Sequence, residues 1–112
     1  EHQPQAIANF TQAIQFNGSD LRAYYNRGCA YHQQGQLAAA LKDFTQVLQI
    51  APDHAQAYLS RGLIRRQMGN LDAALADLQI AAEYFNQQGA KVAYLQTLQL
   101  IQKLRITDVA VG

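Results

Sequence analysis

Residues Tyr24–Pro52 read YYNRGCAYHQQGQLAAALKDFTQVLQIAP, and the pattern returns between Tyr58 and Ala81 as YLSRGLIRRQMGNLDAALADLQIA. The shift is 34 positions at each matched residue, from Tyr24 to Tyr58, Gly28 to Gly62, Gly35 to Gly69 and Ala40 to Ala74. The same shift taken backward matches Phe44-Thr45-Gln46 with Phe10-Thr11-Gln12. A fixed period of this size predicts an array of stacked structural units.

Composition bounds the class of protein. A chain of 112 residues suits one domain that buries roughly two-thirds of its unfolded surface. Its apolar fraction of 49% and charged fraction of 15% indicate a folded domain rather than disorder. The net charge of +1 gives no electrostatic reason to expect nucleic acid or an anionic membrane. No apolar run approaches the ~18 residues that a membrane span needs.

The single cysteine, Cys29, excludes an internal disulfide and fits a reducing compartment, so we expect a cytoplasmic protein. The chain opens with Glu1 rather than Met, and it does so inside a repeat. We therefore expect it to be a piece of a longer protein.

Apolar spacing and capping residues predict six helices. A leading half-repeat, 4–18, holds one helix, on which Ala6, Ile7, Phe10, Ala13 and Ile14 share a face. A full repeat, 21–54, holds two helices: Ser19 or Asp20 caps the first, which ends at Gly35, and Pro52 stops the second.

A second full repeat, 55–88, follows the same plan. Asp53 is expected to cap its first helix, Gly69 to end that helix, and Asn70 to cap the next one. Asn86 stands at the position of Pro52, so this last helix should be longer than its counterpart. After Gly89 we predict a capping helix over 90–105 and a tail over 106–112.

From Gln5 to about Gln88 the chain resembles the tetratricopeptide repeat (TPR) family. The signature positions of that family are filled by Tyr24, Gly28, Tyr31, Ala40, Phe44 and Pro52, and then by Tyr58, Gly62, Ala74 and Ala81. Val47, Leu78 and Arg65 depart from the usual residue types. The resemblance implies an all-α fold, an open right-handed α-solenoid of stacked antiparallel helix pairs with about six helices.

Arg27 and Arg61 stand where the family usually has leucine, and an aspartate follows each by 16 residues, as Asp43 and Asp77. An arginine half-buried between helices needs a charged partner. We hypothesise that each arginine bridges to an aspartate of its own repeat or of the adjacent one. The alternative is that both pairs are solvated and contribute little.

The resemblance also implies a concave groove, lined by the first helix of each repeat, that holds a peptide or helical segment of a partner protein. The implied partner-binding residues are Arg22, Tyr25, Asn26, Cys29, His32 and Gln33, and in the next repeat Gln56, Leu59, Ser60, Leu63, Arg66 and Gln67. Helical spacing agrees for half of them, which recur off the stripe that carries the signature positions: Tyr25, Cys29 and His32, and then Leu59, Leu63 and Arg66. An alternative is that they face water in a spacer array.

A subgroup of the family grips a partner's terminal carboxylate with lysine, asparagine and arginine. Here only Asn26 matches that set, while Tyr25 and Leu59 replace lysine and Cys29 and Leu63 replace asparagine. We therefore expect a more apolar ligand than a carboxylate clamp takes.

Other functions find little support in the sequence. Cys29 and His32 share a helix face, but neither an orienting carboxylate nor a glycine-rich turn accompanies them, so we expect no enzyme. The histidines and Cys29 lack ligand spacing, so we expect no metal and no cofactor. Arg61, Arg65 and Arg66 are the one basic cluster, and a solvated face or a salt-bridge role explains it better than contact with RNA. The alternative function is a scaffold that self-associates through its terminal helices.

Overall fold

The computed structural model describes the backbone of residues 3–111 and the side chains of residues 4–106. Within that range the chain forms six α-helices and no strand, which confirms the predicted all-α class. Their bounds are α1 Gln3–Phe16, α2 Leu21–Gln33, α3 Leu37–Ile50, α4 Ala55–Gln67, α5 Leu71–Gln87 and α6 Lys91–Val111. The chain divides into two compact units, Glu1–Asp53 and His54–Gly112, with three helices each.

The turns after α2 and α4 depend on glycine. Gly35 and Gly69 have φ angles of 78° and 84°, a left-handed conformation that costs a residue with a Cβ atom about 1–2 kcal/mol. That conformation lets the N–H of Gln36 donate to the carbonyl of Tyr31 at 2.9 Å, and it closes the helix end. The predicted helix ends at these two glycines are confirmed.

The helix starts agree with the sequence in two cases and differ in one. Asp20 caps α2 by accepting from the N–H of Ala23 at 3.1 Å, and Asn70 caps α5. The prediction that Asp53 caps α4 is wrong, because His54 does so: its Nδ1 accepts from the N–H of Ala57 at 3.1 Å. His54 is 34 positions beyond Asp20, so the repeat kept the capping position and changed the residue type.

Replacing His54 with aspartate should raise the free energy of unfolding by about 0.5–1 kcal/mol, because a carboxylate is a stronger cap and interacts favourably with the helix N-terminus. The reciprocal change, Asp20→His, should lower it by a similar amount. Urea denaturation followed by circular dichroism measures both. Shifts of the same sign in the two variants would contradict this account.

The last two helices are longer than their counterparts. α5 has 17 residues against 14 in α3, as predicted from Asn86 in place of Pro52. α6 has 21 residues and ends at Val111, so the prediction of a tail from residue 106 is wrong as far as the described backbone runs. Between Ala90 and Val111 the sequence has neither glycine nor proline to end a helix. Gly112 lies outside the described residues.

Each unit is built on a glycine that faces a large apolar side chain. In the first unit, a Cβ atom on Gly28 would lie 3.1–3.2 Å from three ring atoms of the fully buried Phe44. In the second unit, Gly62 faces Leu78 in the same way, and Leu78 belongs to a buried cluster with Ala82, Ile101 and Leu104. The absent glycine side chain therefore lets the two helices of each repeat approach closely.

The remaining signature residues fall into two groups. Ala40, Ala74 and Ala81 are fully buried, whereas the three signature tyrosines are half-buried. Pro52 lies two residues after the end of α3. Across the described part of the chain, no helix has the length and apolar character needed to cross a membrane.

Candidate functional site

In the first unit, Arg27 and Asp43 form an ion pair. This confirms the hypothesis that the arginine bridges to the aspartate of its own repeat. Arg27 donates from Nε and Nη2 to the two oxygens of Asp43, at 2.8 and 2.7 Å. Its Nη1 donates to the hydroxyl of Thr11 on α1 at 3.1 Å. The hydrogen bonds to buried Asp43 raise the pKa of Arg27 above its ordinary value, although burial opposes that shift. One guanidinium thus joins α1, α2 and α3.

The second unit repeats the pair and adds a cation. Arg61 donates from Nε and Nη2 to Asp77 at 2.8 and 2.9 Å, and Arg65 donates to the same carboxylate at 2.9 Å. Asp77 is 2% exposed, so the carboxylate contacts both guanidinium groups away from bulk water. Arg65 stands where the first repeat has Tyr31, which explains its departure from the family pattern.

Tyrosine rings lie next to the arginine of each ion pair. The guanidinium carbon of Arg27 lies 5.8 and 5.7 Å from the ring centres of Tyr24 and Tyr31. Arg61 lies 5.7 Å from the ring centre of Tyr58. These distances allow cation–π attraction, so the half-buried signature tyrosines help to hold the arginines in place.

On α2, the predicted partner-binding residues divide by exposure. Arg22, Asn26 and Gln33 are exposed, while Tyr25, Cys29 and His32 are half-buried. Tyr25 packs edge-on against Phe44, with ring centres 5.5 Å apart, so part of its surface belongs to the core. Burial raises the pKa of the Cys29 thiol above its ordinary value, and a hydrogen bond with Tyr25 opposes that shift in part.

We expect Cys29 to react slowly with iodoacetamide at neutral pH. The thiolate is the reactive form, and a raised pKa leaves a smaller thiolate fraction at any given pH. The pH at which the alkylation rate increases should therefore be higher for the folded chain than for the chain unfolded by guanidinium. Tyr25→Phe removes the opposing hydrogen bond and should move the profile further up in pH. Coincident profiles for the folded and unfolded chains would contradict the prediction.

On α4, three predicted residues meet in one cleft. Gln56, Leu59 and Leu63 form one wall, and the cleft has a volume of about 220 Å³. The opposite wall comes from α6, through Ala93, Gln96, Thr97 and Leu100. Ser60, Arg66 and Gln67 do not line this cleft, and the residues of α2 belong to the other compact unit.

The α6 side of the cleft was not predicted from the sequence, although a signal existed. Adding the repeat period of 34 to Leu59 and Leu63 gives Ala93 and Thr97, and both line the cleft. Thr97 is 2% exposed, and its hydroxyl donates to the carbonyl of Ala93 at 2.7 Å. The cleft wall is therefore apolar except for its glutamines, because the one hydroxyl is already bonded within α6.

Among the described residues, no group of three or more histidine, cysteine, aspartate or glutamate side chains is arranged to hold a metal ion. The basic cluster predicted on α4 divides in the structure. Arg61 and Arg65 bind Asp77, whereas Arg66 is exposed.

Three family models of the tetratricopeptide repeat match the chain. The matches cover residues 3–35, 21–54 and 55–88. The last two ranges have the same bounds as the repeats proposed from the sequence. A comparison with curated protein sequences gave no match.

Solved structures resemble the chain closely. The Arabidopsis OM64 TPR domain is 30% identical, with a TM-score of 0.73 over 86% of this chain and 80% of that one. The MamA protein is 27% identical, with a TM-score of 0.73 over 80% of this chain, which spans only 49% of MamA. The TPR2B domain of yeast Sti1, in its pHsp70 complex, is 21% identical, with a TM-score of 0.86 over 94% of this chain and 84% of that one.

Four observations support one family assignment. They are the 34-residue period, the buried glycine and alanine positions of both repeats, the family-model matches and the 30% identity to the OM64 domain. The chain belongs to the tetratricopeptide repeat family.

Proposed function

We propose that the chain is a protein-interaction module that binds a peptide or helical segment of a partner protein, and that it has no catalytic role. In this proposal the ligand lies in the second compact unit, along the first helix of its repeat, α4, and the part of α6 that faces it. The observation that carries the proposal is the cleft lined by Gln56, Leu59 and Leu63. Three of the implied partner-binding residues meet there around a space that a side chain can fill.

The chemistry of the cleft supports an apolar ligand group. Leu59, Leu63 and Leu100 supply apolar contact. The amides of Gln56 and Gln96 can both donate and accept hydrogen bonds. Among the described residues that line the cleft, none is charged. A peptide backbone carrying one large aliphatic or aromatic side chain matches such a lining, whereas a terminal carboxylate does not.

The relatives support an interaction role as well. The yeast Sti1 TPR2B domain is in complex with pHsp70. Its likeness to this chain is one of fold, so the identity of the partner does not transfer. The proposed ligand is instead argued from the residues that line the α4–α6 cleft.

The experiment selects binders for the wild-type chain from a phage-displayed library of random 12-residue peptides. Affinities are then measured by fluorescence anisotropy. Leu63→Glu should weaken binding by about tenfold or more, because a charge replaces an apolar contact worth at least ~1.4 kcal/mol. Ile80→Glu is the matched control, since Ile80 is exposed on α5 and lies outside the cleft. Equal losses in both variants, or none in either, would refute the proposal.

Self-association through the terminal helices is the second candidate, because Phe16 at the end of α1 is 95% exposed and Val92 on α6 is 69% exposed. Sedimentation equilibrium discriminates the two functions. A chain that remains monomeric over its working concentrations while it binds peptides supports the interaction module. A dimer weakened by Phe16→Ser or Val92→Ser supports assembly.

A further inference from the structure

We propose that Asn17 is a site of spontaneous covalent modification, at which the labile side-chain amide is lost and aspartate and isoaspartate are formed. The site lies in the turn between α1 and α2, where the sequence reads Asn17-Gly18-Ser19-Asp20. This inference concerns only the first compact unit and is independent of the binding function proposed above.

The turn departs from the repeat pattern at two positions. After the 34-residue shift, Asn17-Gly18 corresponds to Ala51-Pro52, the dipeptide that directly follows α3. Asparagine and glycine therefore replace alanine and the signature proline. Of the five asparagines in the sequence, Asn17 is the only one followed by glycine.

The reaction needs no enzyme and no oxidant. The backbone nitrogen of Gly18 attacks Cγ of Asn17 and forms a five-membered succinimide ring. The bond from Cγ to Nδ2 breaks, and the proton of the Gly18 N–H leaves with that nitrogen as ammonia. One water molecule then opens the ring. Cleavage beside Cγ gives aspartate, whereas cleavage beside the α-carbonyl carbon gives isoaspartate, in which the main chain runs through Cβ and Cγ.

The geometry of the turn favours the attack. Gly18 has no Cβ atom to hinder its nitrogen, and beyond its chain neighbours no described residue lies within 4 Å of the place that such an atom would take. The N–H of Ser19 donates to Oδ1 of Asn17 at 3.1 Å. That oxygen gains negative charge during the attack, and an N–H already in place stabilises the charge. Asn17, Gly18 and Ser19 are all exposed, so water and hydroxide reach the site.

The other asparagines are also exposed but lack this chemistry. Asn9, Asn26 and Asn86 lie within helices, and Asn70 caps α5. A residue with a side chain follows each of them. A helical backbone, moreover, cannot rotate to close the ring without losing its hydrogen bonds. These four residues serve as internal controls in the same sample.

Isoaspartate changes the connection between α1 and α2. It adds one carbon atom to the main chain. It also converts the Asn17 carbonyl, which accepts from the N–H of Asp20 at 3.1 Å, into part of a carboxylate outside the main chain. The turn that sets the direction of α1 is thereby altered, so we expect the modified chain to be less stable than the unmodified one.

Peptide mass spectrometry follows each asparagine while the purified chain is incubated at pH 7 and at pH 9. Residue 17 should lose its amide about tenfold or more faster than the other four asparagines, because glycine leaves the attacking nitrogen unhindered. The rate should be higher at pH 9, since hydroxide removes the proton of the Gly18 N–H. Electron-transfer fragmentation should detect isoaspartate beside aspartate. Comparable rates at all five asparagines, or aspartate as the sole product, would overturn the proposal.

Gly18→Pro is the matched variant, because it restores the residue type of Pro52. Proline has no N–H and cannot close the succinimide. Both turns occupy corresponding positions, and the N–H of the first residue after the helix donates four residues back, at 2.9 Å after α1 and 2.7 Å after α3. Gly18 also lacks the left-handed φ of Gly35, so the fold should accept proline.

In Gly18→Pro, loss of the amide at residue 17 should fall at least about tenfold, to the rate of the other four asparagines or below. Those four should keep their wild-type rates. Circular dichroism checks that the variant is folded. An unchanged rate at residue 17 would refute the succinimide route.

The effect on the turn has its own measurement. Chromatography isolates the isoaspartate form, and urea denaturation compares it with Asn17→Asp, which carries the added charge without the extra main-chain atom. A lower denaturation midpoint for the isoaspartate form supports the altered turn. Equal midpoints would contradict it.

Discussion

Replacing Phe44 with alanine should lower the free energy of unfolding by about 3–5 kcal/mol, the range found for large buried aromatic residues. The ring of Phe44 is fully buried, contacts the bare backbone of Gly28, and meets the edge of the Tyr25 ring. Its removal leaves a cavity between α2 and α3 that neither helix backbone can close without losing other contacts. Urea denaturation followed by circular dichroism at 222 nm measures the change.

Phe16→Ala is the matched control for that measurement. The chemical change is the same, but the Phe16 side chain is 95% exposed, so the expected effect lies within about 0.5 kcal/mol. A loss below about 1.5 kcal/mol for Phe44→Ala would show that the glycine–aromatic contact is not central to the first unit.

The second large effect is expected for Asp77→Ala, at about 2–4 kcal/mol of destabilisation. Removing one partner of a buried ion pair leaves the other charge uncompensated, which costs about 3–5 kcal/mol when the remaining charge is fully buried. Here the side chains of Arg61 and Arg65 keep 15% and 28% exposure, so the expected cost is somewhat lower. Glu83→Ala, at an exposed position of the same helix, should change stability by less than about 0.5 kcal/mol.

A double-mutant cycle with Arg65→Tyr tests the cause of that loss. Arg65→Tyr restores the residue type of Tyr31 in the first repeat, and in an Asp77→Ala background it also removes one of two neighbouring cations. The double variant should therefore be more stable than Asp77→Ala alone, with a coupling of about 0.5–3 kcal/mol. Additive effects would mean that the two arginines do not share the carboxylate energetically.

Much of the fold follows from the sequence because its determinants are local and repeated. Gly28 and Gly62 stand 34 residues apart, and each precedes its large partner, Phe44 or Leu78, by 16 residues. That spacing recurs for Arg27 with Asp43, so one helix-pair geometry explains both the close contact and the ion pair. A pattern that occurs twice at one period is hard to attribute to chance.

Other features depend on contacts between side chains that no short sequence pattern predicts. Histidine is an uncommon helix cap, and only the location of its Nδ1 near the N–H of Ala57 identifies His54 in that role. α6 lacks the glycine and alanine positions that fix the register of the other pairs, so only the 34-residue period taken from Leu59 and Leu63 pointed to its wall of the cleft. The partner-binding assignment on α2 and α4 stays a prediction.

The hydrogen bond from Arg27 to Thr11 has a consequence for motion. The Thr11 hydroxyl donates to the carbonyl of Ile7 while it accepts from Arg27. The hydrogen bond between Thr11 and Arg27 can break without separating Arg27 from Asp43. Once detached, α1 is an isolated helix of 14 residues, which is only marginally stable in water, so its amides can exchange while the salt bridge persists. Hydrogen exchange in α1 should accordingly be faster than in α3, and Thr11→Val should speed it in α1 alone.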